Sequence, residues 1–191
     1  MRAEELRELL SDDEVRSISR RYFISNGFDG TLTSVGVVVG AFLSGVPDGA
    51  TVVKIALGAA VGLAVSGTWS VWEIERAEKL AELRRIEGAM LADLEGTRPH
   101  RRRDRARIVN ALMSGLGPVI GVLLPTSPFL LEGSTLSMAE ATVAGVAVAV
   151  LLLFVFGAYM GRISGQRWYV AGIRMGLAGL VVAVINYLLP G

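Results

Sequence analysis

The carboxylate with the most distinctive setting in this sequence is Asp29, the only charged residue between Arg21 and Asp48. The surrounding stretch is apolar enough to be interpreted as a membrane-spanning helix. A charge inside a membrane costs at least about 2.5–3.5 kcal/mol, so residues kept there commonly bind ions or carry protons. The alternative is a boundary residue whose carboxylate reaches headgroup water.

The spacing around Asp29 favours the first interpretation. Asp29 shares one helical face with Thr33, Gly36 and Gly40, at i, i+4, i+7 and i+11. Gly36 and Gly40 form a G-x-x-x-G motif, which lets another helix approach closely. We therefore expect the Asp29 carboxylate to face protein rather than lipid.

A second small and polar stripe lies on the next apolar segment. Its members are Gly58, Gly62, Ser66, Ser70 and Glu73, and Glu73 stands where the stripe meets the cytoplasm. The helical pattern then continues without a breaker to about residue 95. At about 1.5 Å per residue, this extension from residue 73 projects roughly 30 Å from the membrane.

Three carboxylates on that extension follow helical spacing. Glu75, Glu78 and Glu82 lie at i, i+3 and i+7 and form a ridge suited to hard cations. The alternative is a solvated charged face, since basic residues are interleaved and Glu75 can pair with Lys79 at i,i+4. The spacing alone leaves both interpretations open.

The absence of some residue types excludes several functions. The chain has no Cys and a single His, His100, which lies in a basic run and is interpreted as a solvated loop residue. Disulfides, thiolate metal sites and His-cluster zinc sites are therefore excluded, and no nucleophile motif predicts an enzyme. A metal site must use carboxylate, hydroxyl, carbonyl or thioether groups, which suit Mg, Ca and Mn, with Fe(II) within reach.

The elements that position these groups are five long uncharged blocks. They comprise residues 30–47, 55–72, 108–131, 141–161 and 175–191. The chain is 52% hydrophobic with a mean hydropathy of +0.51, above the range of ordinary soluble domains. Because about 17–20 apolar residues can span a bilayer, we predict an all-α integral membrane protein with five transmembrane helices.

The basic residues fix the expected orientation. They concentrate before residue 22, between spans two and three, and between spans four and five, whereas the other two connections have none. The positive-inside rule therefore places the N-terminus in the cytoplasm and the C-terminus outside. We predict a cytoplasmic amphipathic helix in residues 1–21 and a membrane domain over 22–191, with 73–107 as a charged cytoplasmic helix and loop.

The order of short motifs resembles the vacuolar iron transporter (VIT) family over about residues 20–191. The matching pieces are Asp29 to Thr33 with Gly40-Ala41, Ser66-Gly67 to Ser70, Gly121 to Phe129, Phe156-Gly157-Ala158 with Gly161-Arg162, and Gly172 to Gly176. The resemblance implies a homodimer that exports Fe2+, Mn2+ or similar divalent cations from the cytoplasm in exchange for protons. It further implies an ion path at the dimer interface, between the first and second spans.

Carried onto this sequence, the resemblance assigns roles to particular residues. Asp29 matches the family's intramembrane aspartate, and Glu73 is interpreted as a carboxylate gate at the cytoplasmic mouth. The metal-binding prediction is completed by Glu75, Glu78 and Glu82 as an entry site, and the path-lining prediction comprises Thr33, Gly36, Gly62, Ser66 and Ser70. The divalent ion is the transported substrate, with no separate cofactor and no nucleic acid partner, and the expected location is a prokaryotic cell membrane.

The sequence also departs from the family pattern. Where the family often has a Glu and a Met on span two, the Ser66-Gly67 anchor aligns Leu63 and Val71. The loop between spans two and three is about 35 residues long, too short for the family's larger metal-binding domain. These departures support an alternative hypothesis, a family-derived membrane protein that no longer transports and has a structural or interaction role.

Overall fold

Five long α-helices build most of the part of the chain that the structure describes. The structure is a computed structural model that describes residues 13–90 and 98–189. The helices are α1 (Asp13–Leu43), α2 (Gly49–Met90), α3 (Arg98–Thr126), α4 (Met138–Ile163) and α5 (Trp168–Leu188). A 3-10 helix, Ser127–Leu131, follows α3 directly.

Four of these helices are long and apolar enough to cross a membrane. The qualifying segments are Gly49–Ile86, Ala106–Leu131, Met138–Ile163 and Trp168–Leu188. The first helix, α1, has 31 residues but is not among these segments. The prediction of an all-helical chain is therefore confirmed for the described residues, and four of its five expected spans are supported by length and composition. The number of spans and their orientation stay predictions.

Helix α1 packs against each of the other four helices. Its most extensive contact is with α3, while α4 packs chiefly against α5. Ser19, Thr31 and Ser34 of α1 are all buried among the described residues. A helix enclosed by other helices can carry such polar groups because protein, rather than lipid, surrounds them.

Local sequence sets the ends of the helices on the side opposite the charged extension. Gly45 adopts φ 67°, a left-handed conformation that suits glycine, and lets the chain turn after α1. Asp48 then caps α2, since its Oδ1 accepts a hydrogen bond from the Thr51 N–H at 2.8 Å. The Gly49 N–H donates to Glu132 Oε2 at 2.9 Å, which ties the start of α2 to the segment after α3.

Two predicted boundaries look different in the structure. Helix α3 begins at Arg98, so residues 98–107, which were predicted to belong to the loop and include His100, are helical. Helix α1 runs without a break across residue 21, so the expected amphipathic helix and span one are continuous from Asp13. Residues 1–12 of that predicted helix lie outside the described residues. Helix α2 continues past Glu73 to Met90, as the uninterrupted pattern predicted, while the predicted end of the extension, in residues 91–97, also lies outside the described part.

Candidate functional site

Asp29 lies in the middle of α1 with its side chain exposed in the single chain. Thr33 Oγ1 donates to the main-chain oxygen of Asp29 at 2.8 Å, so the helix itself positions the two predicted residues one turn apart. No lysine or arginine pairs with Asp29 among the described residues. The carboxylate is therefore available to a ligand, or to a group from outside this chain.

The rest of the α1 stripe is only partly covered. The position where a Cβ on Gly40 would lie has no other atom within 4 Å, which leaves this part of the face open. A Cβ on Gly36 would lie 3.6 Å from Oδ1 of Asn186, near the end of α5. The close helix approach predicted from the G-x-x-x-G spacing is thus absent at Gly40 within the described chain.

The stripe on α2 is open along its whole length. Gly58 and Gly62 have no atom within 4 Å of an added Cβ. Ser66, Ser70 and Glu73 are all exposed. We call these five residues the open α2 stripe, and Asp29, Thr33, Gly36 and Gly40 the open α1 stripe. Together they contain the predicted path-lining residues and two of the predicted metal ligands.

Asp29 and Glu73 lie at different depths along the bundle. Asn26 Nδ2 donates to Ser114 Oγ at 2.6 Å, and Ser114 Oγ donates to the Gly67 carbonyl oxygen at 2.9 Å, so Asn26 and Gly67 share one level. From that level, α1 rises three residues to Asp29 and α2 runs six residues in the opposite direction to Glu73. At about 1.5 Å per residue, the two residues are therefore about 14 Å apart along the bundle. One ion therefore cannot contact both side chains of a single chain.

Glu75 has a different environment from the other carboxylates of its predicted ridge. Its Oε1 accepts a hydrogen bond from Asn110 Nδ2 of α3 at 3.1 Å. Asn110 in turn accepts a hydrogen bond from Ser19 of α1. Glu75 is therefore connected through Asn110 to both α3 and α1 at the end of the bundle where α2 becomes charged, a connection that helical spacing alone did not indicate.

The remaining predicted ligands are exposed on the α2 extension. Glu78 and Glu82 are exposed, and Glu73 has only a 3.8 Å ion pair with Arg76, with both side chains at least half exposed. Such surface pairs contribute little stability. Among the described residues, no three His, Cys, Asp or Glu side chains come together as a metal-binding group. The five predicted ligands therefore do not converge within the described chain, and their metal binding stays a prediction.

Sequence reasoning missed the polar contacts between α1 and α3. Ser19 Oγ donates to Asn110 Oδ1 at 2.7 Å, and Asn110 is 1% exposed. Ser114, one turn further along α3, is fully buried and bonds Asn26 and Gly67 as described above. Asn110 and Ser114 are one helical turn apart in the sequence, but their partners on α1 are 91 and 88 residues away and leave no local signal.

The two departures on α2 lie on its inner side. Val71 is 3% exposed, and Leu63 packs against a cluster formed by Ala56, Ala60 and Val122. Neither side chain belongs to the open α2 stripe. The apolar character of Leu63 and Val71 therefore serves packing toward α3 and does not change the groups that the stripe presents.

Comparison with known proteins identifies what this arrangement is similar to. The sequence profile of the VIT family matches residues 70–190, which is more than half of the chain. An uncharacterised protein of Methanocaldococcus jannaschii is 26% identical over 172 residues, covering 88% of this chain and 87% of that protein. The profile match begins within the open α2 stripe and extends through α5.

Proposed function

Because the chain belongs to the VIT family of membrane metal transporters, we propose that it exports divalent cations of the Fe2+ and Mn2+ type from the cytoplasm. The observation that carries this proposal is the exposed carboxylate of Asp29 in the middle of α1, without a basic partner among the described residues. An anionic oxygen ligand kept within a membrane bundle suits a hard divalent ion.

Asp29 is the proposed exchange site of the transport cycle. An ionised carboxylate in a medium of low dielectric is costly without a compensating charge. The side chain therefore alternates between a bound cation and a bound proton, and loading one releases the other. This competition provides the coupling of metal export to proton entry, with Thr33 next to the carboxylate on the same face.

The proposed path forms between two copies of the chain. Except at Gly36, the open α1 and α2 stripes carry glycines and hydroxyl groups that no described helix covers. Small residues of this kind favour close packing of membrane helices. A homodimer that brings these stripes together would enclose Asp29 in a polar path lined by Thr33, Gly36, Gly62, Ser66 and Ser70.

The cytoplasmic mouth of this path is assigned to the exposed carboxylates of α2. Glu73 stands at the end of the open α2 stripe, about 14 Å from the depth of Asp29, so it serves as a gate separate from the exchange site. Glu78 and Glu82 extend the acidic surface beyond it and attract cations to the mouth. The proposed location is the cell membrane of a prokaryote.

A flux assay with one substitution and one matched control tests the proposal. Purified protein in proteoliposomes should move Mn2+ and Fe2+, and Asp29→Asn should abolish that flux. Asp48→Asn is the control, because Asp48 is also an aspartate but caps α2 in a turn away from both stripes. A pH-sensitive dye in the vesicle lumen reports the coupled protons. Metal flux that is unchanged by Asp29→Asn would contradict the assignment.

Cross-linking tests the dimer separately from transport. The chain contains no Cys, so a single introduced thiol is the only one present. Gly62→Cys on the open α2 stripe should form a disulfide-linked dimer in membranes. Leu151→Cys is the control, because Leu151 is 62% exposed on α4, away from both stripes. Equal cross-linking at the two positions would argue against an interface at the stripes.

The alternative is a non-transporting interaction protein. It was based on Leu63 and Val71, which stand where the family often has a Glu and a Met, and in this structure Val71 is buried and Leu63 is partly buried. It still makes a distinct prediction, since such a protein would show no flux of any divalent ion in the same assay.

A further inference from the structure

Asn186 is a polar side chain in the last turn of α5, within a stretch that has no charged residue after Arg174. Its Nδ2 donates to the Val182 carbonyl oxygen of the same helix at 2.9 Å. Only the NH2 group of an amide can donate to a carbonyl, so this bond fixes which end of the amide points away. Oδ1 accepts no hydrogen bond from any described residue.

The Asn186 amide lies beside the open α1 stripe. Asn186 is partly buried, and the position of a Cβ on Gly36 lies 3.6 Å from its Oδ1 and 3.8 Å from its Nδ2. Gly36 follows Asp29 by two helical turns, about 10 Å toward the end of the bundle opposite the charged extension. The oxygen atoms of Asp29, Thr33 and Asn186 therefore lie at successive depths along the same face of α1.

We propose that Asn186 Oδ1 is an oxygen ligand for the transported cation on the exit side of Asp29. Helix α5 then contributes to the path together with α1 and α2. Amide carbonyl oxygens are accepted ligands for hard divalent ions such as Mn2+. A buried or partly buried acceptor normally has a donor, and a passing cation satisfies this one. The inference rests on the proposed transport function and adds an exit-side ligand to it.

Gly36 has a defined part in this arrangement. A Cβ at 3.6 Å from Oδ1 is at ordinary contact distance, so Gly36→Ala fits without moving the backbone. The added methyl group would nevertheless occupy the space directly in front of the amide oxygen. Gly36→Ala should therefore weaken cation binding in a protein that folds normally.

The kinetic test compares substitutions at Asn186 in the Mn2+ flux assay. Asn186→Leu should raise the apparent KM for Mn2+ about tenfold with a smaller change in maximal flux, comparable to the loss of an outer-shell partner of a metal. Asn186→Asp keeps an oxygen in place and should retain a low KM. Tyr187→Leu is the control, since Tyr187 is 66% exposed and should leave the KM unchanged. An unchanged KM in Asn186→Leu overturns the inference.

Thiol labelling gives a readout that does not require transport. In the naturally cysteine-free chain, Val182→Cys lies one helical turn before Asn186 on the same face of α5 and leaves the amide in place. It should react with a membrane-impermeant thiol reagent, and Mn2+ should slow that reaction. Val181→Cys is the control, because it lies at nearly the same depth but is 55% exposed on another side of α5, and Mn2+ should not protect it. Equal protection at both positions, or at neither, contradicts a cation site at Asn186.

The two assays together separate the inference from the proposed function. A wild-type protein that transports Mn2+ while Asn186 variants behave normally overturns the inference alone. A wild-type protein that moves no divalent ion overturns the transport proposal. In that second case, Mn2+ protection of Val182→Cys would support a binding site without transport, and absent protection would overturn the site as well.

Discussion

Helix α1 presents two faces of similar composition whose surroundings are opposite. Toward α3 it carries Ser19, Asn26 and Gly30, which are buried or hydrogen-bonded. These residues contact Asn110, Ser114 and Pro118 of α3, and we call the six residues together the α1–α3 seam. On the neighbouring face of α1, no described helix covers the open α1 stripe except at Gly36. Small and polar residues therefore perform two tasks on one helix.

The difference between the α1–α3 seam and the open α1 stripe shows how a small bundle can combine rigidity with an exposed candidate ion site. In the seam, polar groups satisfy one another across helices, which holds α1, α2 and α3 in a fixed relation. On the open stripes, comparable groups remain available to a ligand or to a second copy of the chain. The proposed chemistry depends on the open stripes, while their geometry depends on the seam.

The largest effect that distinguishes the two regions should come from glycine substitution. A Cβ at Gly30 would lie 2.6 Å from the Pro118 Cα, where only backbone movement could relieve the clash. Gly30→Ala should therefore lower the free energy of unfolding by about 3 kcal/mol. Gly58→Ala meets no atom in the single chain and should raise helix stability by up to about 1 kcal/mol. Reversible unfolding in detergent micelles measures both, and equal effects would contradict the comparison.

The next effect concerns the polar contacts of the seam. Asn110→Ala removes the acceptor of Ser19 and a donor to Glu75, leaving buried groups without partners. We expect a loss of about 2 kcal/mol in the free energy of unfolding. Ser66→Ala on the open α2 stripe is the control and should stay within about 0.5 kcal/mol of wild type. A large loss in Ser66→Ala would mean that the stripe is not open.

A smaller effect should separate Glu75 from Glu78, two carboxylates of the same predicted ridge. Glu75→Gln weakens the charge-assisted bond from Asn110 and should lower the free energy of unfolding by about 1 kcal/mol. Glu78→Gln should leave stability unchanged and reduce Mn2+ uptake at low metal concentration, because Glu78 is exposed at the proposed mouth. A loss of stability in both variants would indicate that Glu75 and Glu78 have the same environment, as their helical spacing predicted.

The smallest effect lies outside both regions, at the cap of α2. The hydrogen bond from the Thr51 N–H lowers the pKa of the Asp48 carboxyl below its ordinary value. A lowered pKa in the folded state gives stability that is present above the ordinary aspartate pKa of about 4 and lost as the pH falls through the lowered value. The difference in Tm between wild type and Asp48→Asn should therefore shrink below about pH 4. A difference that grows in acid would contradict the cap assignment.

Sequence reasoning could define the candidate residues of the site but not their relation to one another. The uncharged blocks and the charge-free surroundings of Asp29 identified a membrane carboxylate, because hydropathy is a property of each segment by itself. Glu75, Glu78 and Glu82 share a helical face by spacing, yet Glu75 alone receives a bond from Asn110 of α3. That bond depends on how α2 and α3 pack, which residue periodicity does not encode.

By itself, the sequence determined the long helices, the turn at Gly45 and the cap at Asp48, because apolar runs, glycine conformations and caps act within a few residues. Only the tertiary structure decided which small and polar groups are buried. Asn110 and Asp29 are both polar groups in apolar helices, but α1 and α2 enclose the first, and no described helix encloses the second. Burial depends on neighbours distant in sequence, and identical residue types can meet either environment.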